Sequence, residues 1–353
     1  MGRKNTKKPR SETLSEEIIN ALRETDTFVS GEEISRRLNI TRAGLWKKIQ
    51  NLRQRGYSID AVPSKGYRLR SSPDIPTEEE VHSVFRGNRI GRKIVFHHET
   101  TSTNDLAMEM SHQREHTVSK TYQYSLKGSK SELDGTVIVA DTQKNGRGRF
   151  GRTWISPPGV NLYFTVILEP FLPANEVSLI TLMAAVAVAS AIRKHTSIRA
   201  GIKWPNDILV GRKKVGGILT EMRSDTDMIH FMAVGIGVNV NMASDSVPED
   251  LRPLITSLKE EKGRPVSRVQ LLGMILSQLE YWYTQLIKKG RKTLISEWMR
   301  LNFTIGNNVR VKTQNRIVSG TADGISDDGE LFVRLASGAV ERVFSGEVTI
   351  LKD

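Results

Sequence analysis

The chain has 353 residues, 52 Lys and Arg against 39 Asp and Glu, a formal charge of +13, and no cysteine. That length suffices for two or three domains with buried cores, and the missing cysteine excludes a disulfide framework, a thiolate metal site and a cysteine nucleophile. A reducing, cytoplasmic compartment is the expectation. No N-terminal apolar segment of signal type is present, and the most apolar run, Val177 to Ile192, is interrupted by Ser178, Thr181 and Ser190. It falls short of the roughly 20 residues of a spanning helix, so it is expected as a buried core helix, with no membrane as partner.

Charge is concentrated at one end. Residues 1–70 hold 16 Lys and Arg against 8 Asp and Glu, so a fifth of the chain carries +8 of the total, which suggests nucleic acid as a partner. Thr13-x-x-Glu16 is a capping box ahead of Leu14, Ile18 and Leu22, predicting a helix to about Thr25; Ser30-x-x-Glu33 starts a second with Ile34 and Leu38. Asn39 tolerates the left-handed conformation of a helix end, and Thr41 caps a third helix to about Arg55. The span Gly31 to Gln50 is thus a helix-turn-helix. Leu45, Ile49 and Leu52 form the apolar stripe of the third helix, leaving Thr41, Arg42, Gly44, Lys47 and Lys48 as candidate DNA readers. Trp46, at the stripe's flank, is expected to pack against a neighbour. Tyr57 to Arg70 reads as a hairpin with a basic tip at Pro63-Ser64-Lys65-Gly66, which completes a winged helix.

Ser71 to Pro76 lacks periodicity and contains two prolines, the mark of a linker. The capping box Thr77-x-x-Glu80 opens a second domain in which strand-like runs alternate with helical ones: Lys93–His98, Thr136–Ala140, Leu162–Leu168, the Val177–Arg193 helix, Ile198–Trp204, Ile208–Val210, Val215–Glu221 and Met228–Val240. An α+β sheet backed by helices follows. Ser102-Thr103-Asn104 stands where a strand gives way to a helix, and such residues serve as plain N-caps as readily as ligand donors.

Gly146 to Arg152 reads GRGRFGR, three arginines and three glycines without an acid. Glycine lets the main chain approach a ligand closely, and each guanidinium offers a planar fork of donors matched to carboxylate or phosphate. The string formally satisfies a dinucleotide fingerprint, but that motif must open a helix, and Pro157-Pro158 follow instead. A clamp for a phosphorylated or carboxylated ligand is the reading that fits.

The order winged helix, STN, GRGRFGR, KWPNDI, VGGILTE and VGIGVNVN resembles the bifunctional biotin protein ligases that double as biotin operon repressors. The resemblance spans essentially the whole chain. It implies a multidomain α+β protein: winged helix-turn-helix (1–70), linker (71–76), mixed-sheet ligase domain of class II synthetase type (77–301), and a small Src-homology-3-like β-barrel (302–353). That barrel would be formed by the strands NVRVKT, IVSGTADGI, GELFVRL and GAVERVF. It further implies that biotin and MgATP give biotinyl-5′-adenylate, that a lysine of a biotin carboxyl carrier domain then attacks the mixed anhydride, and that the adenylate is corepressor for a ligand-promoted homodimer on operator DNA.

Carried over residue by residue, Ser102, Thr103, Asn104 and Gln143 fall where the family binds biotin, and Arg147, Gly148 and Arg149 on its ligand-enclosing loop. Arg147, Arg149 and Arg152 would meet the adenylate, and Lys203 would bridge the biotin carboxylate and the α-phosphate. Asn206 and Asp207 read as turn formers, and no metal ligand is assigned. Ser111 to Asp134 is longer than the family usually shows and reads as a flexible surface insertion. Two alternatives stay open, a biotin-sensing regulator without turnover and a ligase whose winged helix no longer binds DNA; fold alone does not exclude a lipoate ligase.

Overall fold

The computed structural model describes residues 10–117, 131–170, 172–173, 176–225 and 228–351, in two compact units that divide between Asp74 and Ile75.

In the first unit, helices α1 (Arg10–Arg23), α2 (Gly31–Leu38) and α3 (Arg42–Gln54) precede a hairpin of β1 (Ser58–Val62) and β2 (Gly66–Ser71). The helix α1 begins one turn before the expected Thr13, whereas the other punctuation is as read. Ser30 accepts a hydrogen bond from Glu32 N, Asn39 ends α2 at φ 51°, and Thr41 Oγ1 accepts from Gly44 N at 3.0 Å. Ile18, Leu22, Ile34, Leu45, Ile49 and Leu52 form the small core, with Tyr57 and Ile59 from the wing side. Trp46 departs from expectation: its neighbour Leu45 faces the core, one step of about 100° around the helix turns the indole outward, and it is 55% exposed.

The second unit is built on an eight-stranded sheet. Its order is β3 (Ile94–Thr100), β4 (Val137–Gln143), β5 (Leu162–Leu168), β10 (Met228–Val238), β9 (Lys213–Asp225), β8 (Asp207–Val210) and β7 (Ala200–Lys203), with the short β6 (Leu172–Pro173) also on β10. Among the described strand pairs of this sheet only β3–β4 is parallel. Alternation along each strand separates two faces. Val137, Val139, Phe164 and Val166 meet α6 (Val177–Thr196) and α8 (Arg268–Lys289), while Ile138, Ile167 and Ala233 meet Ala107 on α5 (Thr103–Thr117). The helix α6 runs 20 residues, longer than expected, yet Leu179 to Ile192 are buried in this core apart from the half-buried Thr181, which accounts for its apolarity. Thr77 caps α4 (Glu78–Val84), and α7 (Leu258–Lys262) and α9 (Arg291–Leu301) complete the helices named here.

After α9, five antiparallel strands follow in the order β14 (Val340–Val343), β13 (Leu331–Arg334), β12 (Ile317–Ile325), β11 (Asn308–Lys312) and β15 (Glu347–Ile350). The four expected strands are present, and β15 adds a fifth that pairs with β11. Trp204 ties this sheet to the larger one: its backbone N donates to Thr304 Oγ1 at 2.8 Å and its Nε1 to Gly329 O at 2.9 Å.

Of the expected insertion 111–134, the two ends are described. Helix α5 continues through Thr117, and Asp134 is buried against Arg89 Nε at 2.6 Å; residues 118–130 lie outside the described residues.

Candidate active site

Ser102, Thr103 and Asn104 stand at the start of α5, all three buried, and the side chains of Thr103 and Asn104 bond to residues of the sheet. Asn104 Nδ2 donates to Glu221 Oε2 at 2.7 Å and to Leu219 O at 3.1 Å, both on β9. Thr165 Oγ1, buried on β5, lies 2.6 Å from Asn104 Oδ1 and 2.8 Å from Thr103 Oγ1. Gln143, at the end of β4, accepts from Thr103 N at 2.9 Å and donates to Ser156 Oγ at 3.1 Å. Side chains so cross-linked hold fixed donor and acceptor directions, the property a small polar ligand needs and a helix cap does not. Thr165 escapes sequence reading because an isolated Thr within LYFTVIL is indistinguishable from an ordinary strand residue.

Two glycines of β10 make the space. A Cβ on Gly235 would stand 2.3 Å from Asn104 Oδ1, and one on Gly237 would stand 2.5 Å from the Trp154 ring. No larger residue fits without moving a wall of the cleft. Among the described residues the buried Trp154 Nε1 donor has no hydrogen-bond partner, a cost that a bound acceptor would relieve.

The GRGRFGR loop is a tight hairpin: Trp154 N donates to Gly146 O at 2.8 Å and Gly148 N to Arg152 O at 2.7 Å. At its tip Phe150 takes φ 57° and is 55% exposed, with the Arg149 guanidinium 5.0 Å from its ring centre. Each arginine has acidic or polar partners in the same unit. Arg147 pairs with Asp105 and with Glu221 Oε2, the latter at 3.1 Å. Arg149 donates to Asn206 Oδ1 at 3.1 Å, Ser345 Oγ at 2.8 Å and Gly346 O at 3.2 Å, and burial lowers its pKa. Arg152 donates to Glu347 Oε2 at 2.6 Å. The loop is therefore tethered at the turn before β15, a link between residues nearly 200 apart in the chain.

Together these residues form an open cleft, lined by Ser102, Thr103, Asn104, Gln143, Arg147, Gly148 and Arg149, with Trp154, Asn206, Lys214, Gly217 and Gly235 to Gly237. Two expected residues do not line it. Arg152 points to Glu347, and Lys203 lies at the end of β7 with Nζ 2.9 Å from Asp207 Oδ2. The lysine that lines the cleft is Lys214, on β9, its Nζ 2.6 Å from Asp207 Oδ1 and 5.2 Å from the Trp154 ring centre.

The correction has a geometric cause. The lysines are 11 positions apart in sequence, and the β7–β8–β9 meander folds both onto one carboxylate; only the ladder shows which one reaches the cleft. Asp207 and Asn206 are accordingly more than turn formers. Burial acts to raise the Asp207 pKa, but Lys214 and Lys203 outweigh it and hold the carboxyl below its usual range. Asn206 receives Arg149 and donates to Ile218 O at 2.9 Å. Among the described residues no group of three or more His, Cys, Asp or Glu could hold a metal ion.

Comparison with known proteins agrees with this geometry. Residues 15–68 match a helix-turn-helix domain, 91–239 the Biotin/lipoate A/B protein ligase family, and 304–351 the Biotin protein ligase C terminal domain. The chain is 33% identical over 339 residues to the Bifunctional ligase/repressor BirA of Bacillus spizizenii, covering 96% of this chain and 99% of that one. The protein of the same name from Escherichia coli is 27% identical over 332 residues, covering 94% and 95%. The biotin protein ligase of Aquifex aeolicus, solved with biotin and ATP, superposes with a TM-score of 0.59 at 27% identity over 74% of this chain and all of that one. With its winged helix, its cross-linked polar well and its arginine hairpin in one chain, the protein belongs to the bifunctional ligase/repressor family of biotin protein ligases.

Proposed function

We propose that the chain joins biotin to ATP and passes the biotinyl group to a lysine of a biotin carboxyl carrier domain, and that the adenylate also switches it to a DNA-binding repressor. The observation that carries the ligase reading is the cleft's division into a neutral, hydrogen-bonded well (Ser102, Thr103, Asn104, Gln143) and a cationic rim (Arg147, Arg149, Lys214). The well suits the uncharged ureido ring of biotin. The rim suits its carboxylate and the α-phosphate.

Two anions must meet for adenylation: a carboxylate oxygen of biotin attacks the α-phosphorus, and pyrophosphate leaves. Fixed cations lower this barrier because their field is in place before the charges crowd together. Lys214, held by Asp207 and beside Trp154, takes the bridging role that the sequence assigned to Lys203; Lys203 instead fixes Asp207. Arg147 and Arg149 compensate phosphate charge, and Arg152 latches the loop that carries them. Magnesium belongs to the nucleotide, in keeping with its habit of binding through substrate phosphates. In the second step the carrier amine attacks the acyl carbon, AMP leaves, and the amine gives up its proton. Such an acceptor brings its own nucleophile, so the absence of cysteine is immaterial.

The helix α3 would enter the major groove, with the +8 charge of residues 1–70 supplying the sequence-independent attraction. Function divides at 1–70, 77–301 and 302–353 in this reading, joined by the linker 71–76. A ligand-promoted homodimer on a two-half-site operator, acting in the cytoplasm, completes the proposal. Labelled biotin, MgATP and a carrier domain test the ligase: label appears on the carrier lysine, and its absence leaves only a sensor. Gel shift on the promoter of the organism's own biotin genes, with and without biotin and ATP, tests the repressor.

A further inference from the structure

Of the five residues of the helix-turn-helix singled out for DNA, three have their side chains committed or lack one. Thr41 Oγ1 caps α3, Arg42 Nη2 pairs with Glu32 Oε2 at 2.6 Å, and Gly44 has no side chain. The core takes Leu45, Ile49 and Leu52. What α3 presents outward includes Ala43, Trp46 and Lys47, all exposed, on a helix with four cations (Arg42, Lys47, Lys48, Arg53) and no acid. Among the described residues Trp46 makes no hydrogen bond or ring contact, and more than half of its surface is open to solvent.

A large apolar surface inside a cationic field suits a ligand that is anionic outside and carries apolar marks within, and duplex DNA has that character. In the major groove the only apolar mark is the C5-methyl of thymine. Indole has one donor and no acceptor, so it cannot form the bidentate pairings that read guanine or adenine. Ala43 and Trp46, three residues apart, are neighbours on the helix surface and extend the apolar strip by about 4.5 Å along its axis, on the order of one base step. We propose that Trp46, with Ala43 beside it, is a sequence-specificity residue that reads thymine methyl groups in each operator half-site. The inference rests on the DNA-binding reading of the first unit and adds to it which base is read, and by what.

The test uses the full chain with biotin and MgATP. Duplexes it prefers are selected from a random pool, and each thymine of the selected site is then replaced by uracil, which removes the methyl and leaves base pairing intact. Uracil at one or two positions per half-site weakens binding of the unaltered protein about fourfold per methyl. Trp46→Ala lowers affinity for the selected duplex about tenfold, leaves affinity for random duplex within about twofold, and abolishes the thymine–uracil difference at those positions, while Trp46→Phe keeps part of it. Biotin transfer and the unfolding temperature of Trp46→Ala stay at the parent values. A Trp46→Ala protein that still distinguishes thymine from uracil at every position, or that binds the selected duplex undiminished, overturns the inference alone. If no sequence is enriched at all, the DNA-binding reading falls and takes this one with it.

Discussion

The arginine hairpin of the cleft and the recognition helix are both cationic, yet they use charge in opposite ways. In the hairpin Arg147, Arg149 and Arg152 are each held by groups of the same unit, Asp105 and Glu221, Ser345 and Gly346, and Glu347. On α3, Lys47 and Trp46 project without a protein partner among the described residues. Held cations present a ready field to one small ligand, at the expense of reach. Free ones can follow a long polyanion, and their attraction is screened by salt. A basic string is thus a statement about partners only once its local acids are known.

Substitutions in the cleft sharpen this contrast most. Lys214→Ala should lower the rate of adenylation by about 100-fold or more, the scale of losing one fixed transition-state donor, whereas Lys203→Gln should cost about tenfold through loosening of Asp207. Biotin-dependent exchange of pyrophosphate into ATP measures both, and the reverse order would return the bridging role to Lys203. Gly237→Ala comes next. The added carbon meets the Trp154 ring, and overpacking of about 1–3 kcal/mol should weaken biotin binding by roughly 10- to 100-fold in calorimetry, with the fold retained.

Loosening the hairpin's tether is expected to matter less and in a different observable. Ser345→Ala with Glu347→Gln removes a hydrogen-bond acceptor of Arg149 and the charge paired with Arg152 without touching the cleft lining, so preformed biotinyl-adenylate should escape a few-fold faster, on the scale of about 1 kcal/mol for partly exposed contacts. Trapping the released adenylate reads this directly, and an unchanged escape rate would show that the loop needs no latch.

Acid offers a further cut. Because Lys214 and Lys203 hold the Asp207 carboxyl below its ordinary value of 3.8, it binds protons less readily folded than unfolded; its contribution is complete above that value and is lost as pH falls through the folded one. The stability gap between the parent and Asp207→Asn, measured by denaturant unfolding, should therefore be widest near neutrality and close below pH 3.8. On the DNA side, Lys47→Ala should lower affinity alike for selected and random duplex and reduce the salt slope by about one. Selective loss on the chosen site would instead make Lys47 a base reader.

Much of this was legible from local signals. Ser30, Asn39 and Thr41 act at helix ends as their side-chain chemistry dictates, and the prolines after GRGRFGR correctly exclude a dinucleotide helix. The residues of STN and Gln143 converge because β3 and β4 pair in parallel, so that the ends of both strands meet on one side of the sheet. Lys203 stands outside the cleft lining, against expectation, for the complementary reason. Within KWPND it is conspicuous, whereas Lys214 hides among the cations of Gly211-Arg212-Lys213-Lys214, and only the β8–β9 ladder sets its side chain beside Trp154.

The chain's own order of residues determined its helices, its turns, the chemistry of its motifs and its family, since each depends on neighbours within a few positions or on a string that keeps its meaning out of context. The folded molecule alone decided which lysine enters the cleft, that Thr165 braces Asn104, that β15 latches the arginine hairpin, and that Trp46 faces outward. Those four facts join residues far apart in sequence or depend on which flank of a helix the core happens to occupy. Distances of that kind exist only after the sheets have closed.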